Sequence, residues 1–239
     1  MFCRLRLYMS LVRFGHSVFA LPFALVGALL AAEQHPVTLG RVAWIIAAMV
    51  TARTAAMAFN RLVDARFDAL NPRTSNRELP RGTLKARDAA LLVMVSSGAF
   101  CLVTTQLGLL CLILSPVALA IVFWYSLAKR FTAYTQLFLG LALAVAPMGG
   151  WLAAGGRGGW EPWLLAIGTG AWVAGFDIFY ACQDLTFDRA QGLQSIPARF
   201  GVQMSLFIAR CLHFVTVVAL AAVVLVVPLG WWYLGGVAG

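Results

Sequence analysis

The chain has 239 residues, 62% of them apolar and 11% charged, with a mean hydropathy of +0.85, whereas soluble domains are about half apolar and a quarter charged. That balance excludes a soluble single domain, and at about 20 apolar residues per bilayer crossing the length accommodates roughly seven or eight spans. The net charge of +9 does not point to nucleic acid. Its Lys and Arg sit in short segments between apolar runs, as cytoplasmic loops facing an anionic leaflet do, and no basic stripe with interleaved aromatics is present.

In chain order, Arg4, Arg6 and Arg13 ahead of FALPFALVGALLAA imitate a signal peptide. Apolar run follows apolar run downstream, so the segment reads instead as a first transmembrane helix with its basic end inside. The apolar runs predict spans at 14–32, 41–62, 88–105, 107–127, 132–154, 162–182 and 203–228, with an eighth that begins at Leu229 and is cut short at Gly239. The fold class is therefore all-α, a polytopic transmembrane helix bundle of about seven full spans plus a truncated eighth, forming one integral membrane domain over 1–239. With the N-terminus inside, fourteen basic residues fall on inside segments and only Arg41 and Arg157 on outside turns, which satisfies the positive-inside rule. Continuous rather than alternating apolar runs exclude a β-barrel. Five cysteines without CxxC spacing, mostly inside apolar runs, read as packing residues.

Two inside loops are long and polar, Arg61 to Arg87 and Gln183 to Gly201. Asn71-Pro72 and the Leu79-Pro80-Arg81-Gly82 turn divide the first into a helical continuation, a turn and an entry into the third span. Of nine acidic residues, four form two copies of one pattern: Asp64-x-x-x-Asp68 leaves the second span and Asp184-x-x-x-Asp188 leaves the sixth. Each member is offset from its counterpart by 120 positions (184 − 64 and 188 − 68), as an internal repeat of a four-helix unit would produce. Residues four apart share a helix face, so Asn60, Asp64 and Asp68 form a ladder of oxygens. Like charges at that spacing repel, more so near lipid, and two such pairs facing one cavity call for cations between them. Oxygen ligands without His or Cys suit Mg²⁺, which completes its shell with water and substrate phosphate. A solitary DxxxD at a helix end is ordinarily a solvated face; the duplication in so acid-poor a chain is what favours the metal.

Asp177 lies about two turns before Asp184 inside an apolar run, where a carboxylate is a functional candidate or else a helix–helix hydrogen bond. Arg66, Arg73 and Arg77 follow the first pair, and Tyr125-x-x-x-Lys129-Arg130 ends the fourth span. A diphosphate bridged by Mg²⁺ finds guanidinium and ammonium donors among them, although each taken singly also fits a positive-inside anchor. His16, His35 and His213 are scattered and receive no ligand role.

With these residues in place the chain resembles a known family. Asn60-Arg-Leu-Val-Asp64-Ala-Arg-Phe-Asp68 resembles the NxxxDxxxD motif of the UbiA superfamily of membrane aromatic prenyltransferases, Asp177-x6-Asp184-x3-Asp188 resembles its second acidic motif, and Tyr125 and Lys129 match its YxxxK. Arg13 in VRFGHSVFALPFALVGA, NPRTSNRELP and GFDIFYACQDLTFDRAQGLQSIPARFG resemble the 4-hydroxybenzoate polyprenyltransferase branch or its menaquinone-pathway relative. The resemblance runs from about residue 10 to 205; family members have nine spans, so the C-terminal spans are expected to be missing here. It implies that Mg²⁺ is held by Asp64, Asp68, Asp184 and Asp188, that these with Lys129 are catalytic, and that Arg13, Asn60, Arg66, Arg73, Tyr125, Arg130 and Asp177 bind substrate. Arg130 is assigned to the acceptor carboxylate and Lys129 to the diphosphate. The implied partners are a polyprenyl diphosphate, an aromatic acid and the lipid bilayer, with the active site on the cytoplasmic side of a bacterial inner membrane. The acceptor is 4-hydroxybenzoate or a similar acid of ubiquinone or menaquinone biosynthesis, or 1,4-dihydroxy-6-naphthoate in the futalosine route. A transporter with paired acidic sites is the rival class; its sites lie nearer the membrane midplane and its repeats are commonly inverted, whereas a four-span offset keeps both copies in one orientation.

Overall fold

A computed structural model describes residues 2–12, 17–34 and 36–238. Ten α-helices follow one another among these residues: α1 (Phe2–Leu11), α2 (Ser17–Ala31), α3 (Leu39–Leu70), α4 (Ala86–Thr105), α5 (Leu109–Ala128), α6 (Thr135–Ala154), α7 (Glu161–Gln183), α8 (Leu185–Ala190), α9 (Ile196–Ala222) and α10 (Trp231–Ala238). No strand occurs among the described residues, as expected where lipid leaves backbone groups no partner outside their own helix. Among the described residues six helices are long and apolar enough to cross a membrane: α3 to α7, and α9 taken on to Leu225. Within the first expected span, α2 covers 15 residues with Pro22 inside, and residues 13–16 ahead of it lie outside the described residues. A separate helix, α1, precedes it where the sequence suggested only a basic flank.

The chain divides into two compact units, residues 1–22 with 39–127, and residues 23–38 with 128–239. The first contains α3, α4 and α5. α3 runs unbroken for 32 residues, about 48 Å, so it exceeds the hydrocarbon core and carries its last turns beyond it. Asn60, Asp64 and Asp68 lie on those turns. The helix stops at Leu70 because Pro72 excludes helical geometry at Asn71, whose Oδ1 accepts the Arg73 amide at 2.9 Å. The loop that follows is folded: Thr74 is buried and its Oγ1 donates to the Asp68 carbonyl at 3.1 Å, while Gly82 takes φ +71° to turn the chain towards α4. α1 closes over this loop, where Leu11, Leu84 and Ala89 form a buried cluster with Leu7, Tyr8, Leu62, Leu79 and Leu92.

The second unit is built on α6, α7 and α9, with the C-terminal half of α2 against α6. Apolar surface gains nothing by leaving one apolar medium for another, so close backbone approach at small residues takes over the packing. A Cβ on Gly140 would run into the Gly170 carbonyl, and one on Gly150 into the Ala24 carbonyl. α7 ends at Gln183 rather than running through the acidic segment, and the short α8 follows. α9 is broken at Gly201, φ +77°.

Gly140→Val is expected to lower the melting temperature of the detergent-solubilised protein, by an overpacking cost of about 1–3 kcal/mol. Gly98→Ala, where a Cβ meets open space, serves as the control and should be neutral or slightly stabilising. Equal melting temperatures for both variants would show that the α6–α7 approach is not tight.

Candidate active site

Each unit carries one acidic pair with its own support. In the first, Asp64 and Asp68 are buried at 4% and 7% exposure, an expensive position for carboxylates unless polar partners compensate. Asn60 Nδ2 donates to Asp64 Oδ2 at 3.2 Å and lies 3.4 Å from the buried Ser126 Oγ on α5, so Asn60 and Asp64 meet on one helix face and Asn60 is braced sideways. Arg77 Nη1 lies 2.7 Å from both oxygens of Asp68. Arg61, itself buried, places Nη1 4.0 Å from Asp68 Oδ2 and donates from Nε to the Leu11 carbonyl at 3.3 Å, which connects α1 to the acidic pair. Arg77 was grouped by sequence with Arg66 and Arg73 as a diphosphate donor; instead its guanidinium is committed to Asp68. Arg66 and Arg73 are exposed.

Two turns before Asn60 on the same helix lies Arg53. Its Nε is buried and has no hydrogen-bond partner among the described residues, and the Tyr125 side chain of α5 lies near it. An arginine within an apolar span is a functional candidate by default. Its position inside the second expected span, 41–62, is the signal for it in the sequence.

In the second unit Asp184 sits at the junction of α7 and α8, with φ −94° and ψ 4°. The helical step to its partner survives the junction, since the Asp188 amide donates to the Asp184 carbonyl at 2.8 Å. Asp177 lies in the field of three charges: Asp184, Asp188 and Lys129. The second acidic motif and the YxxxK lysine therefore meet in one place. α8 then closes with a left-handed Gly192, φ +65°, which lets the Leu193 amide return to the Asp188 carbonyl at 2.8 Å and the Gly192 amide to the Arg189 carbonyl at 3.3 Å, the paired bonds of a Schellman cap. Arg130 is half-buried. Arg13 lies outside the described residues.

Among the described residues no group of three or more His, Cys, Asp or Glu side chains is gathered closely enough to hold a metal alone. Paired carboxylate and amide oxygens nevertheless fit Mg²⁺, which uses one or two carboxylates and fills its remaining positions with water and phosphate oxygens.

Helices of this length and polarity, with carboxylates at their ends, define an integral membrane protein whose polar chemistry lies at helix termini. Residues 20–239 match the UbiA prenyltransferase family. A 4-hydroxybenzoate octaprenyltransferase of Marinomonas sp. (strain MWYL1) is 31% identical over 234 residues, covering 96% of this chain and 82% of the relative. One from Nitrosomonas eutropha is 30% identical over 87% of this chain and 72% of its own. Among solved structures, the apo form of a UbiA homologue from Aeropyrum pernix K1 superposes with a TM-score of 0.87 at 37% identity, covering 94% of this chain and 84% of that one. A UbiA homologue from Archaeoglobus fulgidus bound to DMAPP and Mg²⁺ shares the fold, with a TM-score of 0.79 at 20% identity over 97% of this chain and 84% of that one. The chain belongs to the UbiA prenyltransferase family, and it is a transferase rather than a transporter.

The Asp68–Arg77 pair generates a prediction. Arg77→Met should lower the melting temperature by leaving a buried carboxylate without its partner, and adding Asp68→Asn should recover part of the loss, with a coupling of about 0.5–3 kcal/mol. Strictly additive effects in the double-mutant cycle would show that the bridge is not formed in the folded protein.

Proposed function

We propose that the chain catalyses Mg²⁺-dependent transfer of a polyprenyl group from a polyprenyl diphosphate to an aromatic acid, 4-hydroxybenzoate or a similar acceptor of quinone biosynthesis. It acts as one prenyltransferase domain in a bacterial inner membrane, with its N-terminus and both acidic pairs at the cytoplasmic side. The observation that carries this reading is the duplicated DxxxD, each copy at the end of a long apolar helix and each held by polar neighbours of its own. The names of the relatives support the acceptor class. Within that class, 1,4-dihydroxy-6-naphthoate is the alternative acceptor.

The residues divide the work by charge. Asp64 and Asp68 from one segment, and Asp184 and Asp188 from the other, supply the metal ligands, and bound Mg²⁺ neutralises the diphosphate and the pyrophosphate that leaves. Asn60 orients Asp64 through its 3.2 Å bond, and Arg77 holds Asp68 in place. Lys129, whose charge acts on Asp177 together with those of Asp184 and Asp188, offers its ammonium to the diphosphate, with the exposed Arg66 and Arg73 and the N-terminal Arg13 as further donors. The C–O bond of the prenyl diphosphate breaks with its electron pair leaving on oxygen; the allylic carbon then bonds to the electron-rich ring, which gives up a proton. An apolar surrounding for the cation would keep water from quenching it.

For the acceptor carboxylate two arginines compete. Resemblance assigns Arg130, but Arg53 has the specific observation in its favour, a half-buried side chain whose buried Nε has no partner among the described residues, near Tyr125. Arg53 precedes Asp64 by 11 residues, about 16 Å along the helix, a separation that an aromatic acid and a diphosphate placed end to end can bridge. A planar guanidinium suits a carboxylate.

Replacing Asp64 or Asp184 by Asn should reduce Mg²⁺-dependent turnover by about two orders of magnitude or more while the protein remains folded. Near wild-type turnover at saturating Mg²⁺ would remove that residue from the metal site. Arg53→Ala should raise the acceptor KM about ten- to a hundredfold, with the diphosphate KM little changed. If Arg130→Ala alone produces that pattern, the carboxylate belongs to Arg130; if both variants raise only the diphosphate KM, the acceptor is not recognised through its carboxylate.

A further inference from the structure

Gln136, in the first turn of α6, is only 3% exposed, and burying a carboxamide is costly unless it is used. Its Oε1 accepts the amide of Ile196, 60 residues away, at 3.2 Å. Ile196 opens α9, and the cap of that helix is already provided by Ser195, whose Oγ accepts the Ala198 amide at 3.3 Å. The Gln136 bond thus does more than satisfy a helix end. It anchors the extended stretch 193–196, and Thr135 adds a second anchor, its Oγ1 donating to the Gln194 carbonyl at 3.3 Å.

That stretch joins two functional residues. The Leu193 amide donates to the carbonyl of Asp188, and the next amide, Gln194, donates to the carbonyl of Lys129, both at 2.8 Å. Neighbouring peptide N–H groups thereby fix the backbone of one carboxylate and of the one ammonium that shares its field with Asp177. Lys129 follows the last residue of α5 and Asp188 lies on the six-residue α8, so neither backbone is held by a long helix.

We propose that Gln136 is a positioning residue: by holding the Ile196 amide it registers the 193–194 peptide against Asp188 and Lys129, and so sets the spacing at which carboxylate and ammonium receive a Mg²⁺-bound diphosphate. The proposal rests on the diphosphate reading above. It assigns Gln136 no contact with substrate. Supporting partners of this kind, when removed, weaken metal or ligand affinity by about ten- to a hundredfold.

The test uses the purified protein, with geranyl thiolodiphosphate as an unreactive probe titrated by calorimetry at saturating Mg²⁺. Gln136→Leu should raise its Kd about tenfold and speed amide exchange at Leu193 and Gln194. Gln136→Glu, which keeps an acceptor oxygen, should stay close to wild type, and Thr135→Val should shift Kd and exchange in the same direction as Gln136→Leu by a smaller factor, which keeps the test decisive if Gln136→Leu does not fold. A lowered melting temperature with wild-type Kd in Gln136→Leu, or in Thr135→Val in its place, would reduce Gln136 to a packing residue and overturn the proposal. Equal damage from Leu and Glu would overturn it as well. Failure of the wild type to bind the probe with Mg²⁺ would instead remove the diphosphate reading, and the positioning role with it.

Discussion

Two carboxylates four residues apart on a helix leaving a membrane repel one another, and the protein carries that arrangement twice. In water the repulsion is a few tenths of a kcal/mol; where lipid and protein lower the dielectric it grows several-fold. Burial of Asp64 and Asp68 makes the constraint severe in the first pair. The surroundings of both pairs are a response to it: an asparagine on Asp64, a guanidinium across Asp68, an ammonium among Asp177, Asp184 and Asp188. Internal cations offset part of the charge. In the function proposed above a divalent ion carrying a diphosphate offsets more of it, since it brings positive charge to the carboxylates and is completed by phosphate oxygens.

The two copies meet the constraint by different means. In the first, the unbroken α3 fixes both carboxylates rigidly, and the folded loop from Asn71 to Leu84 returns Arg77 to Asp68, with α1 bound over it through Arg61. In the second, the helix breaks at Asp184, and position is restored by a Schellman turn and by hydrogen bonds from a single extended stretch. One half is held by helix length, the other by a small network of backbone bonds. That difference is why a buried glutamine matters in the second half and has no counterpart role in the first.

Much of this was legible in the sequence, for physical reasons. Apolar runs of about 20 residues are legible because the hydrocarbon core sets their length, and the DxxxD copies are conspicuous because acids are scarce in this chain. Asn71-Pro72 marked the end of α3 because proline restricts the residue before it. What escaped were pairings set by tertiary structure. Nothing in the spacing of Arg77 and Asp68 distinguishes an ion pair from two loop charges, and Gln136 and Ile196, 60 residues apart, share no local pattern. Arg53 was visible as a charge inside a span; what the sequence could not supply was its lack of a partner for Nε, which turns an anchor into a candidate site.

The central claim is that paired carboxylates at the ends of apolar helices serve to transfer a prenyl group from a metal-bound diphosphate to an aromatic acid. Mass spectrometry of products from the purified protein in lipid, offered a polyprenyl diphosphate and a panel of aromatic acids with Mg²⁺ or with EDTA, tests it most directly. The account predicts an adduct whose mass is the sum of acceptor and prenyl chain less one hydrogen from the ring, formed with Mg²⁺ and absent with EDTA. A folded protein that yields no such adduct from any of the acids, or that forms it equally well in EDTA, would contradict it.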